Sequence, residues 1–153
     1  MPLDAIDRKI LRILQEDAQI QNADLAAKVG LSPSPCHRRV KALEAAGVIR
    51  GYVALLDGKA VGAGFVAFVE VRLERQSSGF AERFERAVVK RPEVLECCLV
   101  TGDADYLLKV AVADLDDFHA FLMEVLTRIE GVANTRTVIP VKRLKETTAL
   151  RVA

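Results

Sequence analysis

Ser32, Ser34, His37, Arg38, Lys41 and Arg50 are hydrogen-bond donors gathered into one short stretch of the chain. Ser34, His37, Arg38 and Lys41 recur at intervals of three and four, so on a helix they share one side. Their chemistry is donation to anionic oxygens and to the edges of bases, the chemistry a duplex DNA groove asks for. Nothing near them pairs a nucleophile with a base, as covalent catalysis would need. The helix that must carry them is predicted over Ser32–Ala46. Ser32 suits the N-cap, Pro33 the first helical position, and Gly47 the left-handed residue after the end. Cys36, Val40 and Leu43 form its buried stripe, which turns the donors outward. Arg39 lies beside that stripe, placed either to brace the fold or to reach a phosphate.

A helix that reads a groove needs a support. Ile6, Ile10, Ile13 and Leu14 fall at helical spacing after Asp4, and Asn22–Val29, with Asn22 as cap and Leu25 and Val29 four apart, predicts a second short helix. Gly30-Leu31 joins it tightly to Ser32, the connection of a helix-turn-helix. Val48–Leu56 is apolar and partly β-branched, which predicts a strand with a short wing around Gly51. Taken on spacing alone, three amphipathic helices of an unrelated bundle remain the alternative.

The chain has 153 residues, 51% hydrophobic and 28% charged, the composition of a folded protein. No apolar run reaches the roughly 18 to 20 residues that span a bilayer, and the first residues carry no export signal, so no membrane partner and a cytoplasmic location are expected. The three cysteines form no metal or disulfide pattern; Cys97 and Cys98 are adjacent and must point to opposite faces of a strand, and all three are expected to pack as small apolar groups. A net charge of +1 divides unevenly: nine Lys and Arg stand against seven Asp and Glu up to Ala60, and thirteen against fourteen beyond it. Between Pro33 and Tyr52, Arg38, Arg39, Lys41 and Arg50 face only Glu44, so positive charge gathers where phosphates would lie.

Asp57–Gly64 is glycine-rich and reads as a hinge. Beyond it Phe65–Arg75 alternates, with Phe65, Ala67, Val69, Val71 and Leu73 on one face. Gly79–Arg91 turns helical, with Phe80, Phe84, Ala87 and Val88 on its stripe. Strands follow at Val94–Thr101, Tyr106–Ala113 and Val132–Val141. The turn Gly102-Asp103-Ala104-Asp105 joins the second to the third. An acid-started helix follows Asp114, with Phe118, Leu122, Val125 and Ile129 inward. The order βαββαβ is the ferredoxin-like arrangement, an antiparallel sheet with both helices on one face. Val66, Phe68 and Leu107 leave apolar groups on the other face, which a second copy of the chain would cover.

Leu3–Leu11, Asp24-Leu25-Ala26, Leu31–Cys36, Arg39–Glu44, Gly47–Tyr52 and Val100–Leu108 together resemble the Lrp/AsnC, or feast/famine, family of transcription regulators, and the resemblance runs from Leu3 to about Thr148. It implies an α+β chain: an N-terminal winged helix-turn-helix over residues 1–52, a linker strand and hinge over 53–64, and a ferredoxin-like βαββαβ ligand-sensing and oligomerisation domain over 65–153. It also implies a sequence-specific DNA-binding regulator rather than an enzyme, with no cofactor or metal. Its partners would be double-stranded DNA, a small effector, often an amino acid, and further copies of itself as a homodimer assembling to a tetramer or octamer. Carried onto this chain, the effector pocket between protomers would use Thr101, Gly102, Asp103, Ala104, Asp105 and Tyr106, with Thr135, Arg136 and Thr137 facing them. A carboxylate there would accept an ammonium, and backbone N–H groups and hydroxyls would donate to a carboxylate. A metabolic enzyme or sensor on the same fold, and an architectural DNA-wrapping protein, are the alternatives from other classes.

Overall fold

Asp4 starts the first helix. Its carboxylate accepts the Asp7 N–H at 2.8 Å, and the Asp7 carboxylate accepts the Asp4 N–H at 3.2 Å, a reciprocal capping box at the head of α1 (Ala5–Glu16). Ile10 and Leu11 of α1 are buried, while Ile6, Ile13 and Leu14 flank them. The second helix, α2 (Asn22–Val29), is capped at Gln21 rather than at the expected Asn22. Asn22 is instead the first helical residue, and its side-chain amide donates to the Pro33 carbonyl at 2.8 Å, so it ties α2 to the start of the next helix. Gly30 follows at φ 77°, a conformation that costs glycine nothing, and turns the chain into α3 (Pro33–Ala45). Cys36 and Leu43 of α3 are fully buried against Ile10, Leu25, Ala26 and Val29.

The structure, a computed structural model, describes residues 2–74 and 78–153. It divides into two units: 1–54 together with 144–153, and 55–143. The bounds read from sequence carried the second domain through Ala153. The last residues lie instead on α1, where Arg12 donates to the Val152 carbonyl at 3.0 Å, Gln15 donates to the Leu150 carbonyl at 3.1 Å and accepts the Leu150 N–H at 2.6 Å. Arg8 donates to the Ala153 carbonyl, and Val152 packs against the helical core.

A second difference concerns the wing. Among the described residues no strand forms between α3 and Phe65, and Val48–Leu56 is not a strand. Val48 and Ile49 send their N–H groups to the Leu43 carbonyl to close the end of α3, and Val53, Leu55 and Leu56 are exposed. β-Branched composition favours extended backbone, but a strand persists only with a neighbour to receive its hydrogen bonds.

In the second unit the strands β1 (Phe65–Leu73), β2 (Val94–Leu99), β3 (Tyr106–Val112) and β4 (Val132–Val138) form one antiparallel sheet in the order β2-β3-β1-β4. The expected end of the first strand at Arg75 lies outside the described residues. Ala67, Val69 and Val71 of β1 and Leu108 and Val110 of β3 are fully buried beneath α4 (Ser78–Val88) and α5 (Leu115–Glu124). Phe84 and Val88 supply the α4 side. On α5 the expected Phe118 is buried and Leu122, Val125 and Ile129 pack partly buried against the same core, which Phe121 and, from the 3-10 turn Leu126–Arg128 after the helix ends at Glu124, Leu126 complete. Asp114 caps α5 by accepting the Asp117 N–H at 2.9 Å.

Leu43→Ala is expected to cost about 2–5 kcal/mol by removing a buried side chain from the helical core. Val53→Ala, at an 82% exposed position, should stay within about 0.5 kcal/mol. Denaturant titration followed by circular dichroism distinguishes the two.

Candidate nucleic-acid interface and effector turn

The interface begins with the direction α3 faces. With Cys36 and Leu43 at zero exposure against α1 and α2, Ser34, His37, Arg38 and Lys41 have nowhere to point but outward, and all four are exposed. Ser32 occupies the N-cap, as expected, yet its side chain makes no capping bond, so its hydroxyl stays available beside the helix start. Arg50 is exposed beyond the end of α3.

Two of the four cations in this stretch are already committed. Arg39 donates to Asp4 at 2.6 Å and to Asp7 at 2.8 Å, which pins α3 to the head of α1, the bracing one of its two expected roles. The Asp7 N–H holds the Asp4 carboxyl below its ordinary value of 3.8, helped by Arg39, and the bonds to Asp7 and Asp4 raise Arg39. Lys41 donates to Glu44 at 2.7 Å, one turn along, and the Tyr52 hydroxyl donates to the other oxygen of the same carboxylate at 3.1 Å. The Lys41 bond, more than the Tyr52 bond, lowers the Glu44 carboxyl. Among the described residues, Arg38 and Arg50 form no ion pair.

At the turn between β2 and β3, Thr101, Gly102 and Asp103 are exposed, Ala104 and Asp105 half-buried. Gly102 sits at φ 112°, outside the range side chains tolerate, and a Cβ there would meet open space. Asp105 is part of the frame: its N–H donates to the Val71 carbonyl at 2.9 Å, and its carboxylate accepts the Leu73 N–H at 2.8 Å. Tyr106 is buried, its ring 4.7 Å from Phe84 and its hydroxyl donating to Glu85 at 2.7 Å; burial above all, then that bond, pushes the phenol well up. Thr135 and Thr137 pair with Val71 and Val69, so they lie on the helix-covered face, whereas Arg136 pairs with Glu70 on the open face and binds its carboxylate at 2.9 Å. Since β1 separates β3 from β4, Tyr106 and Thr135 are two strands apart, about 10 Å. One subunit therefore does not bring residues 135–137 to the turn.

A cleft of about 510 Å³ opens elsewhere in this unit, among Arg91, Glu93, Ala113, Asp117 and Phe121, and includes no residue of the turn. Cys97 faces the helix-covered core and Cys98 the open face, as the alternation requires. Burial raises the Cys36 and Cys97 thiols, and the bond to Glu96 raises Cys98, so none is poised as a thiolate.

Residues 3–50 match the family described as winged helix-turn-helix DNA-binding, and residues 66–150 match the Lrp/AsnC ligand binding domain. These define a DNA-binding protein with an attached ligand-binding domain. The leucine-responsive regulatory proteins of Escherichia coli and Salmonella typhimurium are 45% identical to the chain over 148 residues, covering 97% of it and 90% of theirs. A crystal structure of a transcriptional regulator from Neisseria meningitidis in complex with L-Met is similar with a TM-score of 0.94 at 41% identity, covering 98% of this chain and 97% of that one. An AsnC family transcriptional regulator from Agrobacterium tumefaciens gives 0.91 at 43% identity, with 97% of each chain covered. The chain belongs to the Lrp/AsnC family of transcription regulators. No helix among the described residues is long and apolar enough to cross a membrane.

Arg39→Ala should lower the thermal midpoint of the helical unit more than Arg38→Ala does, because it strips Asp7, 7% exposed, of its cation. The lowered Asp4 carboxyl adds stability that is fully present above pH 3.8 and lost as pH falls below it. The stability gap between the native chain and Asp4→Asn should accordingly close on acidification, which melts recorded between pH 5 and pH 2.5 would show.

Proposed function

We propose that the outward side of α3 reads the major groove, with Ser34, His37, Arg38 and Lys41 toward the bases and Ser32 and Arg50 on phosphates, and that a small amino acid bound at the β2–β3 turn modulates this binding. The observation that carries the reading is the complete burial of Cys36 and Leu43, which turns the donor side of the helix away from α1 and α2. Arg39 contributes by holding α3 at its angle to α1 rather than by touching a base.

A single copy presents few cations, and DNA affinity rises with the number of phosphates neutralised, so the working form is a homodimer or a larger assembly of dimers. Val66, Phe68, Leu107 and Val138 on the uncovered sheet face, with the exposed Val53, Leu55 and Leu56, supply apolar surface for that association. The same association supports an effector pocket between copies. Asp103 would accept the ligand ammonium. The N–H groups around Gly102, with Thr101, would take its carboxylate, and Ala104 and the framework residues Asp105 and Tyr106 would hold the turn. Thr135, Arg136 and Thr137 would serve from β4 once a second subunit closes the site. The L-Met bound to the Neisseria meningitidis regulator supports an amino acid as the class of effector. The protein acts as a regulator rather than an enzyme.

Duplexes selected from a random pool supply the operator. At fixed salt, specific binding should exceed random-sequence binding by about 10³ or more. A ratio near one would identify a DNA-wrapping protein instead. Arg38→Ala should cost about 1–3 kcal/mol of operator discrimination, read by fluorescence anisotropy. In a thermal-shift screen of the twenty amino acids, an effector at a hundred times its Kd should stabilise the fold by about 2.7 kcal/mol, and Asp103→Asn should abolish that shift.

A further inference from the structure

Lys41 is the best-placed lysine on the outer side of α3, yet it does not project freely. Its ammonium is held 2.7 Å from Glu44, a residue three positions on with a side chain 28% exposed. The second oxygen of that carboxylate is taken by the Tyr52 hydroxyl at 3.1 Å, from the segment that leaves the helical unit. Glu44 therefore sits at the border of the outward face with both oxygens engaged, between the Lys41 donor and the aromatic ring that fixes it. It is also the only carboxylate between Pro33 and Tyr52. The electrostatics agree with the geometry: Glu44 is lowered first by Lys41, with Tyr52 and His37 adding to it, so the carboxylate is ionised and aimed.

An exposed ion pair three residues apart on a helix is weak, and a phosphate can take the lysine from it. The lysine leaves behind a carboxylate that Tyr52 keeps in place close to the DNA backbone. A sequence-independent phosphate contact through Lys41 is thus opposed twice, by the broken pair and by the stranded negative charge. Contacts from Arg38 and the hydroxyls meet no such opposition. We infer that Glu44 is a specificity-determining residue: it sequesters Lys41 and repels phosphate, so it suppresses binding to random duplex, and Tyr52 positions it for that task. The inference rests on α3 being the DNA-facing helix and deepens that reading.

The test is a double-mutant cycle on the full chain, using Glu44→Gln, Lys41→Ala and their combination. The measurement is anisotropy with a random-sequence 30-base-pair duplex and with a selected operator, between 50 and 200 mM salt. Glu44→Gln should tighten random-duplex binding and steepen the slope of log affinity against log salt by about 1, so affinity falls roughly fourfold further across that range. In the Lys41→Ala background the steepening should shrink to the remainder that loss of the Glu44 charge alone gives. Tyr52→Phe should move random-duplex binding in the same direction by less, and keeps the question answerable should Glu44→Gln fold poorly by circular dichroism. An equal effect of Glu44→Gln with and without Lys41, no effect, or weaker binding would overturn the inference while leaving the DNA-facing assignment of α3 intact. If Arg38→Ala also leaves operator and random-duplex binding unchanged, the DNA-facing assignment of α3 fails as well.

Discussion

The Arg39 guanidinium reaches from the middle of α3 to the two carboxylates that cap α1, and this contact fixes which way the outward helix is turned. Asp4 and Asp7 hold each other through a reciprocal cap, so Arg39 meets a preformed pair of acceptors rather than two mobile side chains. Asn22 makes the corresponding tie from α2 by donating to the Pro33 carbonyl. With both ties in place, the stripe of Cys36 and Leu43 has one direction in which to be buried. The donors on the other side are exposed as a consequence. Asymmetric burial rather than net charge is what gives a nearly neutral chain an outward face rich in donors.

In the second unit the corresponding constraint is a sheet covered on one face. Alternation along β1 and β3 sends Ala67, Val69, Val71, Leu108 and Val110 under two helices, and leaves Val66, Phe68 and Leu107 on the side no helix covers. Antiparallel sheets with one solvated face commonly carry polar residues there, and these positions are apolar instead. Asp105 shows how the turn depends on this sheet: its backbone and carboxylate both bind the end of β1, so the neighbouring Gly102 and Asp103 are carried on a rigid rim.

Much of this was legible in the residues. The faces of α3, the order of the βαββαβ elements, the opposed directions of Cys97 and Cys98 and the Asp114 cap all follow from local spacing. The reciprocal Asp4/Asp7 cap had a signal too, a carboxylate repeated three positions on just before an apolar run. The strand expected at Val48–Leu56 did not follow, because that segment has the composition of a strand without the neighbour a strand requires. Nor did the return of residues 144–153 to α1, which depends on Gln15 meeting the Leu150 backbone across 135 residues of sequence. The candidate effector residues divide for the same reason. Thr135 and Thr137 share a face with Val69 and Val71 while Arg136 opposes them, and β1 stands between them and the turn.

By itself the sequence determined which side of the helices and sheet strands is apolar, about where each helix begins, and the βαββαβ order of the second unit, since these depend on residues within a few positions of one another. Tertiary structure alone decided how the cations are used: Arg39 committed to two carboxylates, Lys41 shared with Glu44, Arg38 and Arg50 without an ion pair among the described residues. The spacing of like residues cannot distinguish them. An ion pair is made by the distance between atoms, and that distance exists only after α1, α3 and the segment carrying Tyr52 have packed.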